Sequence, residues 1–187
     1  MITEIAIQKR KTQLRAAVKE RLAALTTNDF TSAGIEAAKK IADLPGWNTY
    51  NSILIFISMK DEINTEPLIK TIRSAKKLLF IPHVNGNMLY FYHYGIEIKN
   101  AEPKPDSICG LHSADFPVLV ITPGIAFDKN CNRLGRGRGY YDRFFAELDK
   151  SGCDYTALGL CMECQLVGEV PVENGDKKMD GLIVPNL

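Results

Sequence analysis

The stretch from Pro123 to Phe145 limits what this chain can build more than any other. Three glycines on alternate positions, Gly135, Gly137 and Gly139, are interleaved with arginines, after a run that reads as a buried strand and before one that reads as a helix. Glycine lets the backbone take positive φ or approach a ligand closely, so successive N–H groups can turn inward on an oxyanion. A helix starting near Tyr140 aims its free N–H groups and positive dipole end at the same point. Arg133, Arg136 and Arg138 add rigid forks that suit phosphate better than a plain carboxylate. These residues describe an anion cradle whose natural ligand is a nucleotide.

Known loops do not match it. No Lys-Ser or Lys-Thr follows the last glycine, and the alternate glycines lack the dinucleotide spacing. Asp128, Asn130 and Asn132 imitate the start of a calcium loop, but Arg133 stands where its glycine belongs and Gly139 where its bidentate glutamate belongs. By local pattern alone, a Gly-rich surface turn with solvated arginines and a ligand loop are equal readings. The place after a parallel-type strand favours the ligand.

The rest of the chain supplies alternating helices and strands. Residues from Ile2 to Leu25 read as an amphipathic helix with Leu14, Val18, Leu22 and Leu25 on one face and Lys11, Arg15 and Lys19 on a neighbouring stripe. Thr31 to Leu44 reads as a second helix, stopped at Pro45-Gly46. Ile53 to Ile57 is a continuous apolar run of strand length, and Thr65-Glu66-Pro67 opens a third helix. Leu78 to Pro82 is a strand, and Asn85-Gly86-Asn87 turns the chain into Met88 to Tyr92 as a hairpin or edge strand. Residues 97–113 read as a long loop, either a lid or a disordered segment. Phe116 to Thr122 is the strand that delivers the central stretch, Tyr140 to Lys150 a helix, Tyr155 to Leu160 a buried strand, Pro171 to Asp180 a polar loop and Leu182 to Val184 a last strand. The expected fold is three-layer α/β/α, Rossmann-like, with a mainly parallel sheet, and residues 1–187 form a single domain.

A formal charge of +1 gives no broad field for nucleic acid or an anionic membrane, so anion specificity has to be local. Five cysteines without regular spacing argue against a disulfide framework and for a reducing compartment, and we expect a cytoplasmic protein. Cys161-Met162-Glu163-Cys164 has the C-x-x-C form but no second pair, and reads as ordinary thiols. His83, His93 and His112 show no metal spacing. Met1 to Arg10 mixes acidic and basic residues with apolar ones and is not expected to act as a secretory signal, and no apolar run in the sequence is long enough to span a bilayer.

The central stretch resembles the signature of the 5-formyltetrahydrofolate cyclo-ligase family, also called 5,10-methenyltetrahydrofolate synthetase. Members carry P-G-[LI]-A/G-F-D and then N-R-L-G-x-G-x-G-Y-Y-D, here Pro123 to Asp128 and Asn132 to Asp142. Lys11 with Arg15, Phe56 to Thr65, and Val170-Pro171-Val172 to Asp180 extend the resemblance along the chain. It implies a Rossmann-like, CoA transferase-like fold and ATP-dependent conversion of 5-formyltetrahydrofolate to 5,10-methenyltetrahydrofolate, by phosphorylation of the formyl oxygen and attack by N10. It assigns ATP to Lys11, Arg15, Arg133, Leu134, Gly135, Arg136, Gly137, Arg138, Gly139, Tyr140 and Tyr141. The folate falls to Ile57, Glu62, Arg136 and Tyr140, catalysis to Arg136 and Arg138, and Mg²⁺ to Asp142 and Asp180. No nucleic acid, membrane or obligate protein partner is implied. Two positions depart from the pattern: Cys131, where members often have glycine, and Arg138, where others have lysine or glycine. The competing reading is a module that holds a nucleotide or RNA phosphate without turnover.

Overall fold

The computed structural model describes residues 4–94, 111 and 114–186. The expected loop over 97–113 thus lies, except for Leu111, outside the described residues.

A six-stranded sheet forms the middle layer. Its strands are β1 (Ser52–Ile55), β2 (Leu78–Asn85), β3 (Met88–His93), β4 (Val118–Thr122), β7 (Tyr155–Leu160) and β9 (Gly181–Ile183), in the order β3-β2-β1-β4-β7-β9. Every pairing is parallel except β2 with β3, an antiparallel hairpin at the edge. All residues of β1 and β4 are buried, as expected of central strands covered on both faces.

The period of two sorts these strands into two cores. Ile53, Ile55, Leu119 and Ile121 face the helices α1 (Glu4–Ala23), α2 (Thr27–Ala42) and α3 (Glu66–Ser74). Leu54, Val118 and Val120 face the other way and pack with Phe144, Phe145 and Leu148 of α4 (Tyr140–Ser151). The three-layer, mainly parallel α/β fold read from the sequence is the observed one.

Local chemistry sets the helix boundaries. The second helix begins at Thr27, earlier than the periodicity suggests, because Thr26 and Asp29 form a reciprocal capping box. At the third, Thr65 does not act as the side-chain cap. Its hydroxyl instead accepts from the Ser58 N–H at 3.1 Å, while Asn64 Oδ1 accepts from the Glu66 N–H at 3.0 Å. The same segment is clamped to α2: a Cβ on Gly34 would stand 2.1 Å from the Asn64 carbonyl oxygen, and the Asn64 N–H donates to Phe30 O at 3.1 Å.

The central stretch is not all loop. Ala126–Asp128 (β5) and Arg133–Leu134 (β6) pair antiparallel, and β5 pairs in parallel with Leu166–Val167 (β8), giving a second sheet of three strands. Strands this short carry too little periodicity to be read from sequence. Asp128 ties their turn together, accepting from the N–H groups of Asn130, Asn132 and Val170 and from the Asn132 side chain. Cys131, at the tip, has φ 62°, the left-handed conformation for which glycine is the ordinary choice.

Candidate active site

The sheet winds one way from β1 to β2 and the other way from β1 to β4, so β1 and β4 flank a topological switch point. A crevice opens outside the carboxyl ends of strands at such a point. Here it is a cavity of about 520 Å³. Its walls are Gln8, Lys11 and Arg15 of α1; Phe56, Ile57, Met59 and Glu62 after β1; Pro82, Val84 and Leu89 of the β2–β3 hairpin; Pro123 and Gly124 after β4; residues 133–142; and Glu173 and Asp176.

One end is a basic cradle. Gly137 has φ 99° and Gly139, which caps α4, has φ 64°, so the chain reaches the helix start through two left-handed residues. Arg15 donates from Nε to Gly135 O at 2.9 Å, and α1 is thereby tied to the glycine loop. Lys11 is only 4% exposed because it shares the buried stripe of α1 with Val18 and Leu22. Its ammonium donates to Glu173 Oε2 at 2.9 Å and to Asp176 Oδ2 at 2.5 Å. Arg133 is almost fully buried, pairs with Asp142 Oδ1 at 2.7 Å and lies over the Tyr141 ring, 5.6 Å from its centroid.

Ile57, Met59, Val84 and Leu89 give the cavity an apolar lining, and Glu62 also lines it. Arg136 ties the glycine loop to the segment after β1. Its Nη1 and Nη2 donate to Asp61 Oδ2 and Oδ1 at 3.2 and 2.7 Å, and its Nε and Nη2 donate to Glu62 Oε1 at 3.2 and 3.0 Å. The Arg136 hydrogen bonds hold the Asp61 carboxyl below its ordinary value, although burial acts to raise it. Burial works to lower the Arg136 guanidinium, but both carboxylates more than reverse this and hold it up.

Three buried polar atoms of cavity-lining residues have no hydrogen-bond partner among the described residues: Arg133 Nε, Tyr141 Oη and Glu173 Oε1. Burial pushes the Tyr141 phenol far up, so it is a neutral donor. Unsatisfied buried groups are costly, and grouped around one cavity they mark where a polar ligand belongs.

Of the residues singled out in the sequence, Lys11, Arg15, Ile57, Glu62, Arg133 to Tyr141 and Asp142 all line this cavity. Arg138 lines it too, and its carbonyl accepts from Arg143 Nη2 at 2.9 Å. Asp180 does not. It borders a separate shallow pocket with Lys129, Cys131 and Lys177, and its carboxylate accepts the Ala157 N–H at 2.7 Å. Asp180 immediately precedes β9, which pairs with β7. The carboxylate that does share the cavity with Asp142 is Asp176, whose neighbour Lys177 donates its N–H to Asp142 Oδ1 at 3.2 Å.

Sequence reasoning also passed over Asp61, Glu173 and Gln165. Gln165 is buried and its amide donates to Gly124 O at 2.8 Å and Ile125 O at 3.2 Å, which pins the chain leaving β4. No spacing rule marks it. The Asn174-Gly175-Asp176 turn was the available sign for Asp176, but a turn aspartate usually caps its own loop, as this one also does by accepting the Glu173 N–H at 2.8 Å. The C-x-x-C cysteines are free, and burial pushes the Cys161 thiol up to about 12, far from a reactive thiolate.

Known proteins resemble this chain along most of its length. The profile of the 5-formyltetrahydrofolate cyclo-ligase family matches residues 7–185. The 5-formyltetrahydrofolate cyclo-ligase of Escherichia coli K12 is 31% identical, over 90% of this chain and 97% of its own. A probable 5-formyltetrahydrofolate cyclo-ligase of Schizosaccharomyces pombe is 28% identical, over 94% and 95%. Among solved structures, a 5,10-methenyltetrahydrofolate synthetase from Mycoplasma pneumoniae superposes with a TM-score of 0.71 at 21% identity, over 92% of this chain and 97% of that one.

Proposed function

Since the chain belongs to the 5-formyltetrahydrofolate cyclo-ligase family and is a ligase of that activity, we propose that its cavity binds ATP at the arginine end and 5-formyltetrahydrofolate at the Glu62 end. The observation that carries this reading is Arg136, which belongs to the phosphate-type glycine loop and hydrogen-bonds to Glu62, a carboxylate lining the same cavity.

The chemical difficulty is the N5-formyl group, an amide whose resonance resists attack and whose oxygen does not leave unaided. Transfer of the γ-phosphoryl group to that oxygen makes it part of a phosphate. N10 then attacks the formyl carbon and loses its proton, and the C–O bond breaks as phosphate departs, closing the ring to 5,10-methenyltetrahydrofolate. The protein's work is alignment and charge neutralisation. Arg136 and Arg138, with the free N–H groups at the start of α4, hold the transferring group, and Lys11, Arg15 and Arg133 hold the polyphosphate. Glu62 grips the amino-pyrimidinone edge, while Ile57 and Tyr140 flank the ring system.

Magnesium fits the donor set. Asp142 and Asp176 are carboxylates of the cavity wall, each already beside a cation, Arg133 and Lys11 respectively. Asp142 and Asp176 would hold Mg²⁺ beside the phosphate cradle, where it would neutralise phosphate charge.

We read the whole chain as one catalytic domain, because residues from Gln8 to Asp176 wall the same cavity. The free thiols support a cytoplasmic setting, and no described helix is long and apolar enough to cross a membrane. The test mixes protein, Mg-ATP and 5-formyltetrahydrofolate and follows the absorbance of the methenyl product, with ATP omitted as control. Product only with ATP supports the reading; product formed equally without it sinks the phosphorylation step.

A further inference from the structure

We propose that Asp61 is a positioning residue that keeps Arg136 at the reaction centre once the folate has taken Glu62. The inference rests on the reading that Glu62 binds the folate and Arg136 serves the phosphoryl group.

Both oxygens of Glu62 are engaged: Oε1 accepts from Arg136, and Oε2 accepts the Met59 N–H at 2.8 Å. An amino-pyrimidinone edge presents two parallel N–H donors, one for each carboxylate oxygen, and Oε1 already accepts two N–H bonds from Arg136, which fills its lone pairs. The folate therefore displaces Arg136 from Oε1 as it binds. That releases the Nε edge of the guanidinium, which becomes available to phosphoryl oxygens.

A released arginine does not stay in place by default. Arg136 lies between Gly135 and Gly137, so its backbone offers little restraint, and a free arginine side chain recovers its rotamer entropy. Asp61 supplies the restraint. Its two oxygens take Nη1 and Nη2, the end of the fork that the folate does not contest. The guanidinium thus has one edge for substrate chemistry and one for anchorage, from consecutive residues of a turn that is itself closed by the Glu62 N–H to Met59 O at 3.1 Å. The cations about Asp61 are Arg136 and Lys19, and the Arg136 hydrogen bonds are the main cause that holds its carboxyl below the ordinary value.

Steady-state kinetics on Asp61→Asn, Asp61→Glu, Glu62→Gln and Arg136→Ala test this, with thermal midpoints recorded for each. Loss of anchorage affects the chemical step, so Asp61→Asn should lower kcat about tenfold or more and leave KM for 5-formyltetrahydrofolate within about twofold, with Asp61→Glu regaining part of the rate. Wild-type kcat in Asp61→Asn overturns the proposal, and so does a loss shared equally by kcat and KM that Asp61→Glu does not relieve, the pattern of a mere loop clasp. If Arg136→Ala keeps wild-type kcat and Glu62→Gln keeps wild-type KM, the underlying assignment fails and the proposal with it. If those two are impaired as expected, a silent Asp61→Asn overturns the positioning role alone.

Discussion

Arg133 Nη2 and Asp142 Oδ1 stand 2.7 Å apart, the first on β6 and the second in the opening turn of α4, so this ion pair closes the base of the glycine loop. The Arg133 side chain is 3% exposed and the Asp142 side chain 25%. Asp142→Ala leaves a buried guanidinium without its counter-charge. We expect a loss of about 2–3 kcal/mol, below the full value for a wholly buried pair because Asp142 is partly solvated. Urea unfolding of the ligand-free protein measures it; an unchanged midpoint would show that Arg133 finds other compensation.

Glu62→Gln keeps the shape of the side chain and replaces one acceptor oxygen by a donor. KM for 5-formyltetrahydrofolate should rise about tenfold or more, the loss expected of a charge-assisted hydrogen bond, with KM for ATP little changed. A wild-type KM for the folate would remove Glu62 from the binding site.

The magnesium dependence separates Asp176 from Asp180. Asp176→Asn should raise the Mg²⁺ concentration needed for half-maximal rate by about tenfold or more, since a Mg²⁺ site uses only one or two carboxylates. Asp180→Asn should leave that concentration unchanged, because asparagine can still accept the Ala157 N–H. The reverse pattern would return the metal to the residue first expected from the sequence.

Stability at acid pH should depend on Asp128. Burial alone pushes its carboxyl up, but hydrogen bonds from the Val170 N–H, the Asn132 side chain and the N–H groups of Asn132 and Asn130 outweigh this, and the net shift is downward. A carboxyl lowered in the folded state stabilises above its unfolded value, near 4, and that contribution fades as pH falls through the folded value. Unfolding free energy measured from pH 6 to pH 2 should therefore decline below about pH 4. Asp128→Asn should flatten this slope while costing about 1–3 kcal/mol at pH 7.

Gly34→Ala should destabilise strongly although alanine is the better helix former. The added Cβ would stand 2.1 Å from Asn64 O, a backbone atom that cannot swing aside. We expect a loss of about 1–3 kcal/mol and, since Asn64 lies two residues past Glu62, a raised KM for the folate as well. A variant as stable as the parent would mean that the loop shifts freely against α2.

Much of the fold was legible because its strands obey simple rules. The apolar runs at Ile53 and Val118 mark strands covered on both faces, and the Asn85-Gly86-Asn87 turn marks the hairpin. The short strands Ala126–Asp128 and Arg133–Leu134 were not, since they are defined by pairing partners distant in sequence. The glycine and arginine residues of the site announced themselves through local density. Asp61, Asp176 and Gln165 did not, because each acquires its role from a residue that folding brings close: Arg136, Lys11 and the carbonyl of Gly124. Lys11 shows the same limit from the other side. Its charge suggested a stripe beside the apolar face, whereas the structure buries it on that face against two acids.

The switch point between β1 and β4 joins two loops that come from widely separated parts of the chain, with α1 laid across them. Neither part holds a complete ligand site, so a molecule bound there has no comparable affinity for the unfolded polypeptide. Occupancy and folding are then linked equilibria: a ligand at a hundred times its Kd adds about 2.7 kcal/mol to the stability of the whole sheet. Saturating substrate should thus protect strands far from the cavity, β9 included, against global unfolding as fully as those that wall it.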